Sequence, residues 1–243
     1  MSSKNITVIS FDVWDTLLDL KPFHTKIAEK ISLYTSREYD KVYHELEENY
    51  RILKDYRRRN MLRFDDIVNH CLELSSKNLG ISVEVIRKAV TKSVLEVDIK
   101  GLVIDGVEKI LANLVNSGKK LVTTGNLIFW PGSYNRILLE RAGLADYFTL
   151  QIYADEVKVS KPNKNIFLII CKQLNVLPEN VVHVGDNKVE DFDGALSAGM
   201  NAIWINPSMS ETLSEEGEGV AIRSIKYLME ALNKIESNTR LIL

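Results

Sequence analysis

The sequence predicts an α/β protein whose core is a doubly wound, Rossmann-like parallel sheet with an inserted all-helical cap. Short runs of β-branched and aromatic residues alternate with segments of helical periodicity over most of the chain, a pattern typical of parallel strands joined by right-handed crossovers. Residues 20–98 differ, because they contain no convincing strand and repeat apolar residues at helical spacing. We therefore expect a sheet domain made of residues 1–19 and 99–243, and a four-helix cap made of residues 20–98.

The first expected strand is Ile6–Phe11, an apolar run that stops at the carboxylate of Asp12. Later runs of the same kind predict further strands at Lys120–Thr124, Phe148–Tyr153, Val181–Val184 and Ala202–Ile205. Helical periodicity between them predicts helices at about 106–117, 131–142, 163–175 and 189–198, and a final helix near 225–235. The acidic stretch Ser210–Gly219 is typical of a surface loop.

Within residues 20–98, apolar residues recur three or four positions apart, as in Ile27, Ile31 and Tyr34 and again in Val42, Leu46, Tyr50 and Leu53. This spacing predicts helices that each bury one apolar face. No Gly/Ser-rich linker separates the helical region from the sheet domain. Short hinges are therefore expected near Leu18–Pro22 and Val97–Gly106.

The composition limits the classes of partner. The 243 residues include 31 Lys and Arg and 33 Asp and Glu, which leaves a formal net charge of −2. A nearly neutral chain has no overall field to attract nucleic acid or an anionic membrane, so neither is an expected partner. The N-terminal apolar run is too short for a signal peptide, and no run reaches the roughly 18 apolar residues of a membrane span. Cys71 and Cys171 lack metal-ligand spacing, which fits reduced cysteines in a cytoplasmic protein.

Polar residues follow the predicted strands at their carboxyl ends, where open parallel sheets bind ligands. The first strand runs into Asp12–Thr16, the second ends around Thr123–Asn126, the third precedes Ser160–Pro162, and the fourth ends at Gly185–Asp186 with Asp191 beyond. Each segment alone has an ordinary structural explanation as a cap, a loop or a turn. Their joint occurrence at successive strand ends predicts one common site.

The chemistry that suits this set is phosphoryl transfer. A carboxylate such as Asp12 can attack phosphorus to form an aspartyl phosphate, which divides one difficult hydrolysis into two easier steps. Mg²⁺ would offset the repulsion between Asp12, Asp186 and the incoming phosphate, because it prefers hard oxygen ligands. Asp191 could reach the ion directly or through water. The Thr124 hydroxyl and the Lys161 ammonium would then hold the phosphoryl oxygens.

These residues resemble the motifs of the haloacid dehalogenase-like (HAD) hydrolase superfamily, and the resemblance covers nearly the whole chain. The first motif matches Asp12–Leu18 in its nucleophile and its threonine, the third matches Ser160–Asn163, and the fourth matches Gly185–Asp191. The second motif is a strand that ends in Ser or Thr. Thr123, Thr124 or Gly125 could fill that position, and Thr124 is the preferred candidate.

The resemblance implies the roles of the site residues. The implied catalytic residues are Asp12, Thr124 and Lys161, and the implied substrate-binding residues are Trp14, Thr16 and Asn126. The implied ligands of Mg²⁺ are Asp12, the backbone carbonyl of Trp14, Asp186 and Asp191. A helical insertion directly after the first motif is the family's first cap class, which closes over the site and determines the substrate. A small phosphorylated molecule is the expected substrate.

One departure from the family pattern affects the expected function. Family phosphatases usually carry, two residues after the nucleophile, an Asp that protonates the leaving group, and here that residue is Trp14. Two enzyme hypotheses follow: a Mg²⁺-dependent phosphatase, or a metal-independent 2-haloacid dehalogenase, whose halide leaves without a proton. Asp186 favours the phosphatase, because a site without a cation has little reason for another carboxylate. A catalytically weak member, or a binding protein like a phospho-receiver domain, is the third hypothesis.

A basic cluster and a histidine have structural explanations. The basic cluster Arg51–Arg63 favours a solvated helix face, although one or two of its arginines could instead enter the cleft and hold an anion. His183 lies inside a predicted buried strand and is expected to be a hydrogen-bonded core residue. The physiological substrate and the oligomeric state do not follow from the sequence.

Overall fold

The computed structural model describes residues 5–237, and within them the chain forms a seven-stranded sheet in the order 3-2-1-4-5-7-6. All neighbouring pairs among these strands are parallel except β6 with β7. The strands are β1 Val8–Phe11, β2 Lys120–Gly125, β3 Phe148–Tyr153, β4 Val181–Gly185, β5 Asn201–Ile205, β6 Leu213–Glu216 and β7 Gly219–Ile222. The predicted α/β class with a parallel sheet is confirmed.

The helices of the described residues fall into two groups. Those that follow β1 directly are α1 Leu20–Thr35, α2 Tyr39–Arg58, α3 Ile67–Leu79 and α4 Val83–Glu96. Those of the sheet domain are α5 Ile99–Leu102, α6 Val107–Asn116, α7 Gly132–Arg141, α8 Ala154–Val157, α9 Lys164–Leu174, α10 Gly194–Ser197 and α11 Leu228–Ser237. A π-helical segment, Lys188–Asp193, precedes α10. Residues 1–4 and 238–243, assigned above to the sheet domain, lie outside the described residues.

The sheet buries both of its faces, because neighbouring residues of a strand point to opposite sides. On β1, Ile9 packs in the cluster that also contains apolar residues of α6, α11 and the helical cap, whereas Val8 packs in the cluster formed with α9. Both side chains are fully buried. The continuous apolar strands seen in the sequence therefore correspond to a sheet covered by helices on two sides.

The expected loop at Ser210–Gly219 is wrong. Most of this stretch belongs to a β-hairpin in which β6 pairs with β7, and β7 in turn extends the sheet beside β5. Val220 and Ile222 of β7 are buried, while the acidic β6 forms the sheet edge. Charged residues suit an edge strand because they discourage pairing with another chain, and they also remove the apolar pattern that would have predicted a strand.

The helical cap joins the sheet domain through two short segments that pair with each other. Asp19 N donates to Leu102 O at 2.8 Å, and Ile104 N donates to Leu17 O at 3.0 Å. A β-bridge between Leu18 and Val103 lies between these hydrogen bonds. The chain thus leaves and re-enters the sheet domain side by side, at the carboxyl end of β1.

Both cysteines of the chain lie within the described residues. Cys71 and Cys171 are free and buried, and burial raises the pKa of both thiols. No helix within residues 5–237 is both long and apolar enough to cross a membrane.

Candidate active site

The site forms where β1 and β4 end side by side. These parallel neighbours pair Phe11 with Val184, and Asp12 N donates to Val184 O at 2.9 Å. Asp12 follows β1 by one residue and Asp186 follows β4 by one residue, so the sheet delivers both carboxylates to the same edge. The predicted strand ends converge because β1 lies beside β4 in the sheet.

Lys161 occupies the centre of the site and is almost completely buried. Its Nζ donates to Asp12 Oδ1 at 2.5 Å and to Asp191 Oδ1 at 2.6 Å, and its side chain is 1% exposed. Burial alone would lower the pKa of Lys161, but the charges of Asp12 and Asp191 raise it well above its usual range. Lys161 is therefore a fixed positive charge beside the Asp12 carboxylate.

Asp191 is held rigidly by several donors. Besides Lys161, it accepts from Asn187 N at 3.0 Å and from His183 Nε2 at 3.2 Å. A Cβ on Gly185 would lie 2.3 Å from Asp191 Cγ, so glycine is required for this carboxylate to pack on the end of β4. Burial by itself would raise the pKa of Asp191, but Lys161 and the hydrogen bond from His183 lower it well below the usual range.

His183 is a hydrogen-bonded core residue, as the sequence predicted. Its Nδ1 lies 2.9 Å from Ser10 Oγ, and its ring is fully buried. Burial lowers the pKa of His183, against the opposing hydrogen bond to Asp191. A neutral imidazole in this position holds Asp191 in place through a hydrogen bond from inside the core.

Asp12, Asp186 and Asp191 form a group that could hold a metal ion, since each offers an oxygen atom and these atoms lie within 4.8 Å of one another. Burial, the largest cause, raises the pKa of Asp12 to about 6, against the opposing charge of Lys161. Burial followed by the charges of Asp191 and Asp12 raises the pKa of Asp186 to about 8. The Asp186 carboxylate makes no hydrogen bond to residues 5–237, so it is free to bind a cation. Hard carboxylate oxygens of this kind fit Mg²⁺.

Trp14 belongs to an aromatic cluster that joins the sheet domain to the cap. It stacks on Phe23 of α1 at a centroid distance of 5.1 Å and meets Trp130 edge-on at 5.7 Å. Tyr50 of α2 stacks on Trp130 at a centroid distance of 5.9 Å. Trp14 is 6% exposed, and its Nε1 has no hydrogen-bond partner within the described part of the chain. Its ring therefore packs between domains instead of providing an acid.

The cap closes the site with one face of α2. Tyr50, Lys54 and Arg57, spaced at i, i+4 and i+7, line the same cavity as Asp12 and Asp186. The cavity has a volume of about 30 Å³, which is room for one or two water molecules. The helical spacing of these three side chains was visible in the sequence, but nothing there indicated which face of α2 meets the sheet domain.

The interpretation of the basic cluster as a solvated helix face is wrong for Arg57. Its side chain is 3% exposed and donates from Nη2 to Glu190 Oε2 at 2.8 Å. Arg58 donates to the other oxygen of Glu190 at 3.0 Å. Arg51 and Arg59, by contrast, are exposed and pair with acidic neighbours on their own helix. One arginine of the cluster thus does enter the cleft, where it meets a carboxylate of the sheet domain.

The threonines expected at the site lie away from the cavity that Asp12 and Asp186 line. Strand β2 continues through Gly125, so the Thr124 side chain stays inside the sheet domain, where its hydroxyl lies 2.9 Å from Ser10 Oγ. Neither Thr124 nor Thr16 lines the cavity, and the Thr16 hydroxyl is buried without a hydrogen-bond partner among residues 5–237. Asn126 does line the cavity, and its amide is hydrogen-bonded to the backbone of Lys161.

A Rossmann-like sheet with a helical cap, in which a carboxylate directly follows the first strand and a buried lysine contacts it, defines a hydrolase of the HAD type. The family model of the haloacid dehalogenase-like hydrolases matches residues 6–199. The chain belongs to this family. It is 28% identical over 241 residues to the glyceraldehyde 3-phosphate phosphatase of Pyrococcus furiosus, a match that covers 96% of this chain and 94% of that relative.

Solved structures with the same fold include proteins of two activities. A HAD phosphatase from Thermococcus onnurineus superimposes with a TM-score of 0.64 at 25% identity, covering 93% of this chain and 98% of that one. A 2-haloacid dehalogenase from Pseudomonas syringae pv. tomato gives a TM-score of 0.63 at 24% identity, covering 94% and 99%. The overall fold therefore does not distinguish a phosphatase from a dehalogenase. Evidence for one or the other has to come from the residues of the site.

Proposed function

We propose that the protein is a Mg²⁺-dependent phosphatase that hydrolyses a small phosphorylated metabolite through an aspartyl phosphate on Asp12. The observation that carries this proposal is the Asp186 carboxylate, which lies free beside Asp12 and Asp191. Burial and those neighbouring charges raise its pKa to about 8, so an ionised Asp186 is costly unless a cation is bound. The full-length similarity to a relative named as a glyceraldehyde 3-phosphate phosphatase supports the same activity.

In the first step, Asp12 attacks phosphorus with one carboxylate oxygen while the leaving group departs with its electron pair. Lys161 is already within hydrogen-bond distance of Asp12, so its ammonium would also lie close to the phosphoryl oxygens, where negative charge increases in the transition state. In the second step, water attacks the aspartyl phosphate and the P–O bond to Asp12 breaks. The products are the free Asp12 carboxylate and H2PO4⁻, which carries both protons of the water.

We propose that Asp12 and Asp186 bind Mg²⁺ through their carboxylates and Trp14 through its backbone carbonyl. Asp191 is engaged by Lys161, His183 and Asn187, so we place it as a support that reaches the ion directly or through water. Mg²⁺ supplies charge neutralisation between the carboxylates and the phosphate. The protein residues then orient the nucleophile and exclude bulk water.

The leaving group is the point at which Trp14 restricts the substrate. General acid catalysis contributes about 10²–10⁴ in rate, and an indole packed against Phe23 and Trp130 cannot supply it. We therefore propose that acyl and aryl phosphates, whose leaving groups need no proton, are the better substrates. Thr124 and Thr16 are assigned no direct contact in this scheme, because neither lines the cavity.

We also propose that residues 20–98 act as a mobile cap over the sheet domain. The helices from Leu20 to Glu96 and the paired linkers on either side support these boundaries. Tyr50, Lys54 and Arg57 of the cap line the cavity beside Asp12 and leave only about 30 Å³ there, so we expect the cap to move when a substrate binds. Closure would then exclude water, as lids do in many enzymes.

A metal-independent 2-haloacid dehalogenase is the second candidate, favoured by the absence of a carboxylate at position 14, since a halide leaves without a proton. A panel assay of the full chain separates the two, using acetyl phosphate, p-nitrophenyl phosphate, glyceraldehyde 3-phosphate and 2-chloropropionate, each with Mg²⁺ or with EDTA. We expect phosphate release that requires Mg²⁺. Halide release in EDTA without phosphate release would establish the dehalogenase, and no turnover of any compound would leave a binding protein.

A further inference from the structure

We propose that Arg57 of the cap is a positioning residue that acts through Glu190 and Asn126 on the backbone of Lys161, so that the site is complete only when the cap is closed. This inference rests on the proposed phosphatase function and names the cap residue that would regulate it. It comes from a continuous chain of hydrogen bonds between α2 and the catalytic lysine. None of these contacts involves the phosphate or the metal.

The chain of contacts has three links. Arg57 Nη2 donates to Glu190 Oε2 at 2.8 Å. The same oxygen accepts from Asn126 Nδ2 at 3.1 Å. Asn126 then clamps the backbone of Lys161, accepting from its N–H at 2.8 Å and donating to its carbonyl at 3.0 Å. A movement of Arg57 is thereby transmitted to Lys161 through one carboxylate and one amide.

Burial makes this contact sensitive to the loss of either partner. The side chains of Arg57 and Glu190 are only 3% and 5% exposed, and breaking a buried ion pair is costly. Without Arg57, Glu190 would keep only the pairing of its other oxygen with Arg58, whose side chain is 42% exposed. Arg57 also donates from Nη1 to Leu127 O at 3.1 Å, directly beside Asn126 in sequence. A planar guanidinium can make both contacts at once, whereas a lysine ammonium at the end of a flexible chain matches this geometry poorly.

Glu190 also connects to the other end of Lys161. It directly precedes Asp191 in the π-helical segment, and Asp191 accepts the hydrogen bond from Lys161 Nζ. A shift of Glu190 would therefore disturb both the backbone clamp and the ammonium of the lysine. Opening the cap removes Arg57 from Glu190 and Leu127 and so loosens Lys161. Closure restores the alignment, which limits catalysis to the water-excluded state.

Arg57→Gln tests the relay, with Arg59→Gln as the matched control. Arg59 is two residues away, its side chain is 68% exposed and it pairs with Asp55 on the same helix. With acetyl phosphate and Mg²⁺, we expect Arg57→Gln to lower kcat by about 10- to 100-fold, the range typical of residues that hold metal ligands in place through hydrogen bonds. KM should change less than threefold and the control less than twofold. Arg57→Lys, which keeps the charge but not the double contact, should fall between them.

Glu190→Gln provides the second arm. It should lower kcat like Arg57→Gln, and the double variant should be no worse than the worse single variant, because both changes break one chain of contacts. A rise in KM with unchanged kcat in Arg57→Gln would overturn the inference, since Arg57 would then bind substrate directly. Additive losses in the double variant would overturn it as well.

Hydrogen exchange of the full chain supplies a readout independent of turnover. The Lys161 amide donates to Asn126, so its exchange should accelerate in Arg57→Gln and stay at the wild-type rate in Arg59→Gln. Equal exchange in both variants would refute the relay. If the wild-type chain turned over none of the phosphate compounds, the proposed function would fail, while this exchange measurement would still decide whether Arg57 holds Lys161.

Discussion

Magnesium binding should release protons, because the pKa values of two of the proposed ligands, Asp186 and Asp12, are raised in the metal-free site. The pKa of Asp186 is raised to about 8 and that of Asp12 to about 6, in both cases chiefly by burial. At pH 7 the first carboxyl is then about nine-tenths protonated and the second about one-tenth. The ion binds the ionised forms, so about one proton should leave for each Mg²⁺ bound.

The same values set the pH dependence of the affinity. A group that must lose a proton to bind the ion weakens the apparent affinity as the pH falls through its pKa. Between pH 8 and pH 6, protonation of Asp186 and then of Asp12 should weaken the apparent affinity for Mg²⁺ roughly 100-fold. Below pH 6 the loss should steepen, because both carboxyls then take up protons.

Isothermal titration calorimetry measures both quantities. Titrations of Mg²⁺ at pH 7 in buffers of different ionisation enthalpy give the number of protons released, and titrations at pH 6, 7 and 8 give the affinity. Asp186→Asn should remove the proton release and weaken binding, whereas Asp146→Asn, on an exposed turn before β3, should match the wild type. No proton release, or an affinity that is flat from pH 6 to pH 8, would refute the assignment of Asp186 as a ligand.

Three further outcomes are expected. Asp12→Asn should abolish turnover of acetyl phosphate with an unchanged circular dichroism spectrum, because it removes the nucleophile. A folded variant with the activity of the wild type would exclude the covalent route. Rates should fall steeply with leaving-group pKa across aryl and alkyl phosphates, and Trp14→Asp should raise the alkyl-ester rate by up to about 10²–10⁴. A shallow dependence would point to Asp15, which lines the cavity, as a proton donor. Gly185→Ala, whose Cβ would lie 2.3 Å from Asp191 Cγ, should lower the free energy of unfolding by about 1–3 kcal/mol in urea denaturation; an unchanged midpoint would show that Asp191 can move.

Strand ends were the predictable part of the site. Asp12 and Asp186 directly follow short apolar runs that are typical of buried strands. Parallel pairing brings the ends of such strands to one edge of the sheet. Lys161 does not follow its strand directly. It comes eight residues after β3 ends at Tyr153, and its position depended on the resemblance of Ser160–Asn163 to a family motif.

The second motif shows where local pattern stops being informative. Thr123 and Thr124 are adjacent in β2 and so point to opposite faces of the sheet. The hydroxyl of Thr123 contacts Tyr153 at 3.4 Å, and that of Thr124 contacts Ser10 at 2.9 Å. A sequence of apolar and hydroxyl residues does not indicate at which residue a strand ends, and here it ends one residue later than predicted. The polar side chain that reaches the cavity is therefore Asn126.

Arg57 and Glu190 could not be paired from sequence, because 133 positions separate them and each lies among charged neighbours. Arg57 sits in a run of three arginines, and the residues on either side of it do not reveal which one is buried. Only the placement of the cap on the sheet domain selects it. Contacts between the cap and the sheet domain depend on how the cap is oriented on the sheet. The local sequence pattern does not determine that orientation.

Trp14 connects the missing proton donor with the packing of the cap on the sheet domain. The side chain that replaces the proton donor also stacks on Phe23 and contacts Trp130, and Tyr50 adds a further ring from the cap. Aromatic pairs of this kind each contribute about 0.5–1.5 kcal/mol beyond the area they bury. These ring contacts stabilise the position of α1 and α2 of the cap on the sheet domain. Trp14 and Tyr50 also line the cavity that contains Asp12, so the residue that stands in place of a proton donor is at the same time part of the contact between the cap and the sheet domain.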